Sequence, residues 1–203
     1  MVAIVDYGVG NLFSLKSSFA LLGEEAVVTG DPAVIQNAPR ILLPGVGAFG
    51  DAAKKLRESG LGSVVKEEAA KGKPLLGICL GMQLLLAKSY EYGEHEGLGL
   101  IKGDIRPLSE TVPETYKIPH MGWNGLSFTG EKHPLFRYID EGDFVYFVHS
   151  YHAVSCPSVI ATTEYGANIT AAVAEGSVMG CQFHPEKSGS VGLRILKAFT
   201  EMC

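Results

Sequence analysis

The sequence predicts an α/β fold with one central, mostly parallel sheet that is covered by helices on both faces and extended by antiparallel strands. Two observations predict it. Short apolar strands alternate with amphipathic helices up to about residue 98, and strand-like runs dominate the rest of the chain. The 203 residues are 46% hydrophobic. We therefore expect residues 1–203 to form one domain around a single core.

The first two predicted units each contain a strand and a helix. Residues 3–5 are an apolar strand and residues 6–11 a loop, after which apolar residues recur at helical spacing from Leu12 to Leu22. A second strand begins at Val27. Its helix is predicted to start after Asp31, whose side chain suits an N-cap and which precedes a proline.

The next two predicted strands are joined by a long helical stretch. Residues 41–43 are an apolar strand that ends at a Pro-Gly pair. A helical stretch from about residue 51 to residue 71 follows, with a predicted break at residues 60–62, where two glycines occur. Residues 74–78 are then typical of a buried strand.

The later part of the chain is richer in strands. Strand-like runs occur at residues 144–148, 159–163 and 170–174, and we expect antiparallel strands to extend the sheet. A last helix is predicted after Ser188. Residues 88–97 and 109–117 carry no motif.

Composition excludes several classes of function. The chain has 17 Lys+Arg against 22 Asp+Glu, a formal charge of -5, and no basic run that could neutralise phosphates. It shows no signal-peptide pattern and no apolar run of transmembrane length. The four cysteines form no C-x-x-C pair and have no zinc-ligand spacing. We expect a cytoplasmic protein that holds no metal and binds neither nucleic acid nor membrane.

Cys79 is the candidate nucleophile. It lies in Gly-Ile-Cys-Leu-Gly, between an apolar strand and a helical run, which is the setting of a nucleophile elbow with sulfur in place of oxygen. At a helix N-terminus the dipole and the free N–H groups favour the thiolate. The alternative is a small buried cysteine without a catalytic role.

His184 and Glu186 are the candidate base and its orienting carboxylate. They stand two residues apart, on either side of Pro185, in a segment predicted to be extended, so that both side chains point to the same side. A carboxylate beside an imidazole fixes its tautomer and stabilises the imidazolium. Cys79, His184 and Glu186 would then form a triad. Alternatively, His184 ends a core strand and Glu186 is a solvated turn residue.

The turn at residues 44–47 is the candidate oxyanion site. It follows a strand of the parallel sheet, so it should emerge at the same edge as Cys79. Backbone N–H groups of Val46 and Gly47, together with that of Leu80, would stabilise a negative oxygen. The alternative is a simple connection. Gly8 and Gly10 do not form a dinucleotide-binding motif, because the third glycine is absent, and we predict no cofactor.

These motifs resemble those of the class I glutamine amidotransferases. Residues 77–83 and 183–186 present Cys, His and Glu in the order of that family. Residues 44–50, 119–124 and 146–151 resemble, within it, the glutaminase subunits of imidazole glycerol phosphate synthase. The resemblance covers nearly the whole chain and implies a flavodoxin-like sheet.

The resemblance implies a reaction and a partner. Glutamine would be hydrolysed to glutamate and ammonia, and the ammonia would pass to a (β/α)8-barrel cyclase subunit. That subunit makes imidazole glycerol phosphate and aminoimidazole carboxamide ribotide in histidine biosynthesis. The resemblance also implies that glutamine is contacted by Gly45, Gln83, Ser150 and Tyr151. A further set would face the partner: His120, Met121, Trp123 and Lys187.

The sequence is compatible with three other interpretations. One is a ligand-binding module on the same scaffold, with a triad that is incomplete in space. A second is the glutaminase of another amidotransferase, which residues 119–124 argue against. A third is a free-standing cysteine hydrolase that needs no partner.

Overall fold

A computed structural model describes residues 1–202 and is built on an eight-stranded sheet. In spatial order its strands are β2 (Ala26–Thr29), β1 (Val2–Val5), β3 (Ile41–Leu43), β4 (Leu75–Ile78), β14 (Val178–Cys181), β13 (Asn168–Glu175), β12 (Val159–Glu164) and β9 (Ser127–Phe128). The five strands from β2 to β14 are parallel, and the other three continue the sheet in antiparallel fashion. The predicted fold class is confirmed.

Helices cover both faces of this sheet. They are α1 (Leu12–Leu21), α2 (Pro32–Asn37), α3 (Phe49–Glu58), α4 (Leu61–Ala70), α5 (Leu80–Leu85) and α6 (Gly189–Thr200). Because side chains alternate along a strand, Val2 and Ile4 of β1 join a core with α1 and α6, whereas Ala3 and Val5 join a core with α2, α3 and α4. The predicted break between α3 and α4 falls at Gly60, whose φ of 75° is left-handed.

Two smaller sheets lie beside the main one. The first contains β11 (Tyr151–Val154), β7 (Ile101–Pro107), β5 (Leu86–Ser89) and β6 (His95–Glu96). The second is an antiparallel ribbon of β8 (His120–Gly125) and β10 (Phe144–His149). The run at residues 144–148 is therefore a strand, as predicted. It does not extend the main sheet, because β8 takes up its backbone hydrogen bonds over six residue pairs.

The parallel strands place four loops at one edge of the sheet. The chain leaves β1, β3, β4 and β14 at their carboxyl ends, and these ends meet because the strands are parallel neighbours. The loops that follow contain Tyr7, the turn at residues 44–47, Cys79 and His184. The fold thus brings the predicted functional segments together. In the described part of the chain, no helix is both long and apolar enough to cross a membrane.

Candidate active site

Cys79 occupies a strained turn between β4 and α5. Its φ of 54° and ψ of -111° are unusual for a residue with a side chain. The flanking glycines are required sterically: a Cβ on Gly77 would lie 2.7 Å from the carbonyl oxygen of Gly81, and one on Gly81 would lie 1.9 Å from that of Leu43. The backbone N–H of Cys79 donates to the Cys181 carbonyl at 2.8 Å. The predicted elbow geometry is present, and Cys79 is 8% exposed.

His184 and Glu186 are in contact behind Cys79. His184 Nδ1 lies 2.8 Å from Glu186 Oε1, and both side chains are almost fully buried. The prediction that this segment is extended is wrong for its second half, because residues Pro185–Lys187 form a single 3-10 turn. The Ser188 hydroxyl donates to the His184 carbonyl at 2.6 Å and accepts from the Tyr146 N–H at 2.9 Å. This turn, rather than strand alternation, brings the carboxylate to the imidazole.

The surroundings of His184 favour its charged form. Burial lowers its pKa, but hydrogen bonds with Cys79 and Glu186, together with their negative charges, outweigh burial and raise the pKa to about 9. His184 is therefore protonated at neutral pH and can stabilise a thiolate. Glu186 Oε2 is buried and has no hydrogen-bond partner among the described residues.

The turn at residues 44–47 packs directly against the elbow. A Cβ on Gly45 would approach the Gly81 nitrogen to 2.8 Å and the Leu80 side chain to 2.9 Å. The Tyr7 hydroxyl anchors the turn by donating to the Pro44 carbonyl at 2.8 Å. Burial raises the pKa of Tyr7 well above its usual value, and negative charge on Cys79 adds to the shift. Gly45 thus allows a contact that any side chain would block.

A cavity of about 330 Å³ opens onto Cys79 and His184. Predicted site residues supply most of its wall: Val46, Gly47, Leu80, Gln83, Ser150, Tyr151 and Lys187. Gln83, one helical turn after Cys79, donates through Nε2 to the Tyr151 carbonyl at 3.2 Å. The cavity joins the candidate nucleophile, base and oxyanion turn in one space.

Exposed side chains on the β8–β10 ribbon and nearby fit a protein interface. Met121 is 61% and Trp123 54% exposed, so Trp123 is not a core residue. Lys187 is also exposed. The prediction that His120 faces a partner is wrong for its side chain, which is 3% exposed, because residues 120 and 121 alternate across the strand.

Sequence reasoning missed three polar residues around the cavity. Glu91 lines it and accepts from the Phe49 N–H at 2.6 Å, although it lies in a stretch to which no motif was assigned. Gln182 is fully buried, and its amide nitrogen lies 3.7 Å from Cys79 Sγ. His149 lines the cavity and pairs with His120 at 3.0 Å. The position of Gln182 two residues before His184 was the one available signal.

Comparisons with known proteins show the family to which this chain belongs. A family model described as "Glutamine amidotransferase class-I" matches residues 3–202, so the chain is a class I glutamine amidotransferase. A solved structure described as "Crystal structure of glutamine amidotransferase" shares the fold. Its TM-score is 0.76 at 20% identity, over 99% of this chain and 98% of that one.

Full-length relatives narrow the class to one family. "Imidazole glycerol phosphate synthase subunit HisH" of Sulfurimonas denitrificans is 53% identical over 99% of this chain and 98% of that protein. The protein of the same description from Wolinella succinogenes is 49% identical over the whole of both chains. The chain therefore belongs to the HisH family of imidazole glycerol phosphate synthase subunits.

Proposed function

We propose that this chain hydrolyses glutamine with Cys79 as nucleophile, His184 as proton carrier and Glu186 as orienting carboxylate. The observation that carries the proposal is the meeting of Cys79 with a charged, carboxylate-bound His184 at one cavity. The released ammonia would serve a cyclase partner in histidine biosynthesis, as the descriptions of the relatives suggest.

In the first step, Cys79 Sγ attacks the side-chain amide carbon of glutamine. The carbonyl oxygen becomes negative and accepts from the N–H of Leu80, which has no acceptor within the first helical turn, and from those of Val46 and Gly47. His184 gives its proton to the amide nitrogen. The C–N bond then breaks, ammonia leaves, and a glutamyl thioester remains on Cys79.

In the second step, water attacks the thioester carbon. Neutral His184 takes the proton from that water, and the C–S bond breaks to return the thiolate. Glutamate leaves after its new carboxyl group ionises, and His184 is again protonated. Glu186 holds the imidazole in the tautomer that both proton transfers require.

Four residues named from the resemblance are proposed to bind glutamine: Gly45, Gln83, Ser150 and Tyr151. Both N–H groups of the Gln83 amide have acceptors, namely the Tyr151 carbonyl and Gln182 Oε1. The Gln83 oxygen is therefore the atom left to accept from the substrate. Glu91 supplies a buried carboxyl group at the cavity wall, which can accept from the substrate ammonium group.

We propose a (β/α)8-barrel cyclase as the partner, and imidazole glycerol phosphate and aminoimidazole carboxamide ribotide as its products. Met121 and Trp123 would provide apolar anchors and Lys187 a charge for an acidic residue across the interface. We expect the reaction to take place in the cytoplasm. Glutaminase activity should depend on the partner, because a synthase gains nothing from ammonia released into water.

The turn at residues 44–47 is the proposed point of control. Gly47 has a φ of 93°, and a rotation of the peptides around Val46 would aim an N–H toward or away from the oxyanion. Loss of one such donor costs on the order of 10²–10³ in rate. That loss would leave the free subunit with almost no glutaminase activity.

The test is glutamine turnover by the chain alone, with the cyclase subunit, and with the cyclase subunit plus its ligand. We expect the rate to rise about 10²-fold or more across the three conditions. In the full complex, Cys79→Ala should abolish ammonia release from glutamine while the synthase still uses added ammonium. Hydrolysis by the Cys79→Ala complex would refute the nucleophile. Equal turnover in the three conditions would refute the gating and favour a free-standing hydrolase.

A further inference from the structure

We infer that the Gln182 side-chain amide is a hydrogen-bond donor to the Cys79 thiolate, and that the Tyr151 carbonyl fixes its orientation. The inference rests on the proposed role of Cys79 and adds a residue to the Cys-His-Glu triad. In this arrangement the thiolate has two donors, one from His184 and one from Gln182.

Three contacts define the position of Gln182. Its Nε2 lies 3.7 Å from Cys79 Sγ, within the range of a hydrogen bond to sulfur. Its Oε1 accepts from Gln83 Nε2 at 3.0 Å. The backbone N–H of Gln182 donates to the Ala171 carbonyl at 2.8 Å, and the residue is 0% exposed. Both ends of the side chain are therefore held.

The direction of the amide follows from the Tyr151 carbonyl. A carbonyl oxygen can only accept, so Gln83 must present its nitrogen to Tyr151, at 3.2 Å. The second hydrogen on that nitrogen then requires an acceptor, which is the Gln182 oxygen at 3.0 Å. Gln182 is left with its donor facing sulfur. Rotation by 180° would bring two donors together and place an oxygen against the thiolate.

The same carbonyl also orders a second branch of hydrogen bonds. His149 Nδ1 donates to Tyr151 O at 2.9 Å, so its Nε2 is the acceptor for His120 Nδ1 at 3.0 Å. Tyr151 O thus accepts from both Gln83 and His149. With two donors bound, the carbonyl is fixed in place, and the orientation of Gln83 and Gln182 is fixed with it.

The chemical consequence concerns the ground state of the nucleophile. Burial disfavours the thiolate, and a donor bonds an anion more strongly than a neutral thiol. As sulfur bonds to the substrate carbon, it loses its negative charge and the hydrogen bond weakens. Gln182 should therefore favour the thiolate over the thiol, so that Cys79 reacts faster with electrophiles near neutral pH.

Gln182→Met tests this inference, because methionine is similar in length but has no N–H donor. The rate of Cys79 alkylation by iodoacetamide should fall about tenfold near neutral pH and recover as the pH rises. Gln182→Glu should lower the alkylation rate near neutral pH by at least as much. Gln36→Met, at an exposed position on α2, is the matched control and should leave the alkylation profile unchanged. A profile for Gln182→Met that overlays that of the unmodified protein would overturn the inference.

A second measurement does not depend on whether a Gln182 variant folds. In the unmodified protein, the side-chain amide signals of Gln182 should move in the ¹⁵N spectrum as Cys79 titrates, and the same signals should stay fixed in Cys79→Ala. Signals that are equally insensitive in both proteins would refute the contact. Failure of the proposed function is distinguishable, since it would appear as glutamine hydrolysis by Cys79→Ala or by protein alkylated at Cys79.

Discussion

His184 and the two histidines of the β8–β10 ribbon are all buried, but their pKa values move in opposite directions. At His184, hydrogen bonds and negative charge from Cys79 and Glu186 outweigh burial, and the pKa rises to about 9. In the ribbon, burial lowers the pKa of His120 to about 4 and that of His149 to about 3. Burial acts in the same direction at all three residues. The partner atoms therefore decide which histidine carries a proton at neutral pH.

The two regions should respond to pH with opposite signs. A raised pKa means that His184 stabilises the fold fully below pH 6.5 and loses that contribution as the pH rises through about 9. A lowered pKa means that His149 contributes fully above pH 6.5 and loses its contribution as the pH falls toward about 3. One region is suited to moving protons, and the other to holding a fixed set of hydrogen bonds.

The largest expected effect comes from removing the charged histidine. His184→Ala should lower glutamine hydrolysis in the full complex by about 10³–10⁴, because it removes the proposed proton carrier. The loss of rate in Glu186→Ala should be about ten- to a hundredfold smaller than that in His184→Ala, because the imidazole is still present and is only misoriented. Rates at saturating glutamine give the order. Unchanged turnover in His184→Ala would show that another group is the base.

A smaller effect is expected in the neutral pair. The free energy of unfolding should decrease between pH 7 and pH 5, and His149→Gln should reduce that decrease by about 2 kcal/mol, at roughly 1.4 kcal/mol per pH unit below 6.5. Glutamine can still donate to the Tyr151 carbonyl. Urea unfolding at both pH values measures this free energy, and His95→Gln in β6 is the control. An unchanged decrease in His149→Gln would mean that this histidine does not resist protonation.

The smallest effect is spectroscopic and tests the cause of the contrast directly. In an imidazole NMR titration, His184 should titrate near pH 9 and His149 should stay neutral above pH 5. In Cys79→Ala the midpoint of His184 should move down, because one of its two anionic partners is gone, while His149 should not change. If the midpoint of His184 is the same in Cys79→Ala as in the unmodified protein, Glu186 alone raises the pKa of His184.

The sequence was sufficient for features that depend on local pattern. The alternation of short apolar strands with amphipathic helices predicted the parallel sheet, because such strands are buried on both faces. The glycines around Cys79 predicted the elbow, because a side chain at either position would meet backbone atoms. The ribbon was not predictable as a separate sheet, because residues 144–148 have the same pattern whichever strand they pair with. Gln182 and Glu91 were missed because their roles depend on which distant atoms meet them in the fold.

Strand β14 lies in the middle of the main sheet, although it is among the last segments of the chain. It pairs with β4, and the contact between Gln182 and Cys79 joins residues 103 positions apart. During synthesis, β4 and the elbow leave the ribosome long before His184 and Glu186 exist. At that point the chain has Cys79 but neither the proposed base nor the inferred second donor to its sulfur. Any activity that needs His184 therefore also needs β14, which pairs with β4 on one side and with β13 on the other.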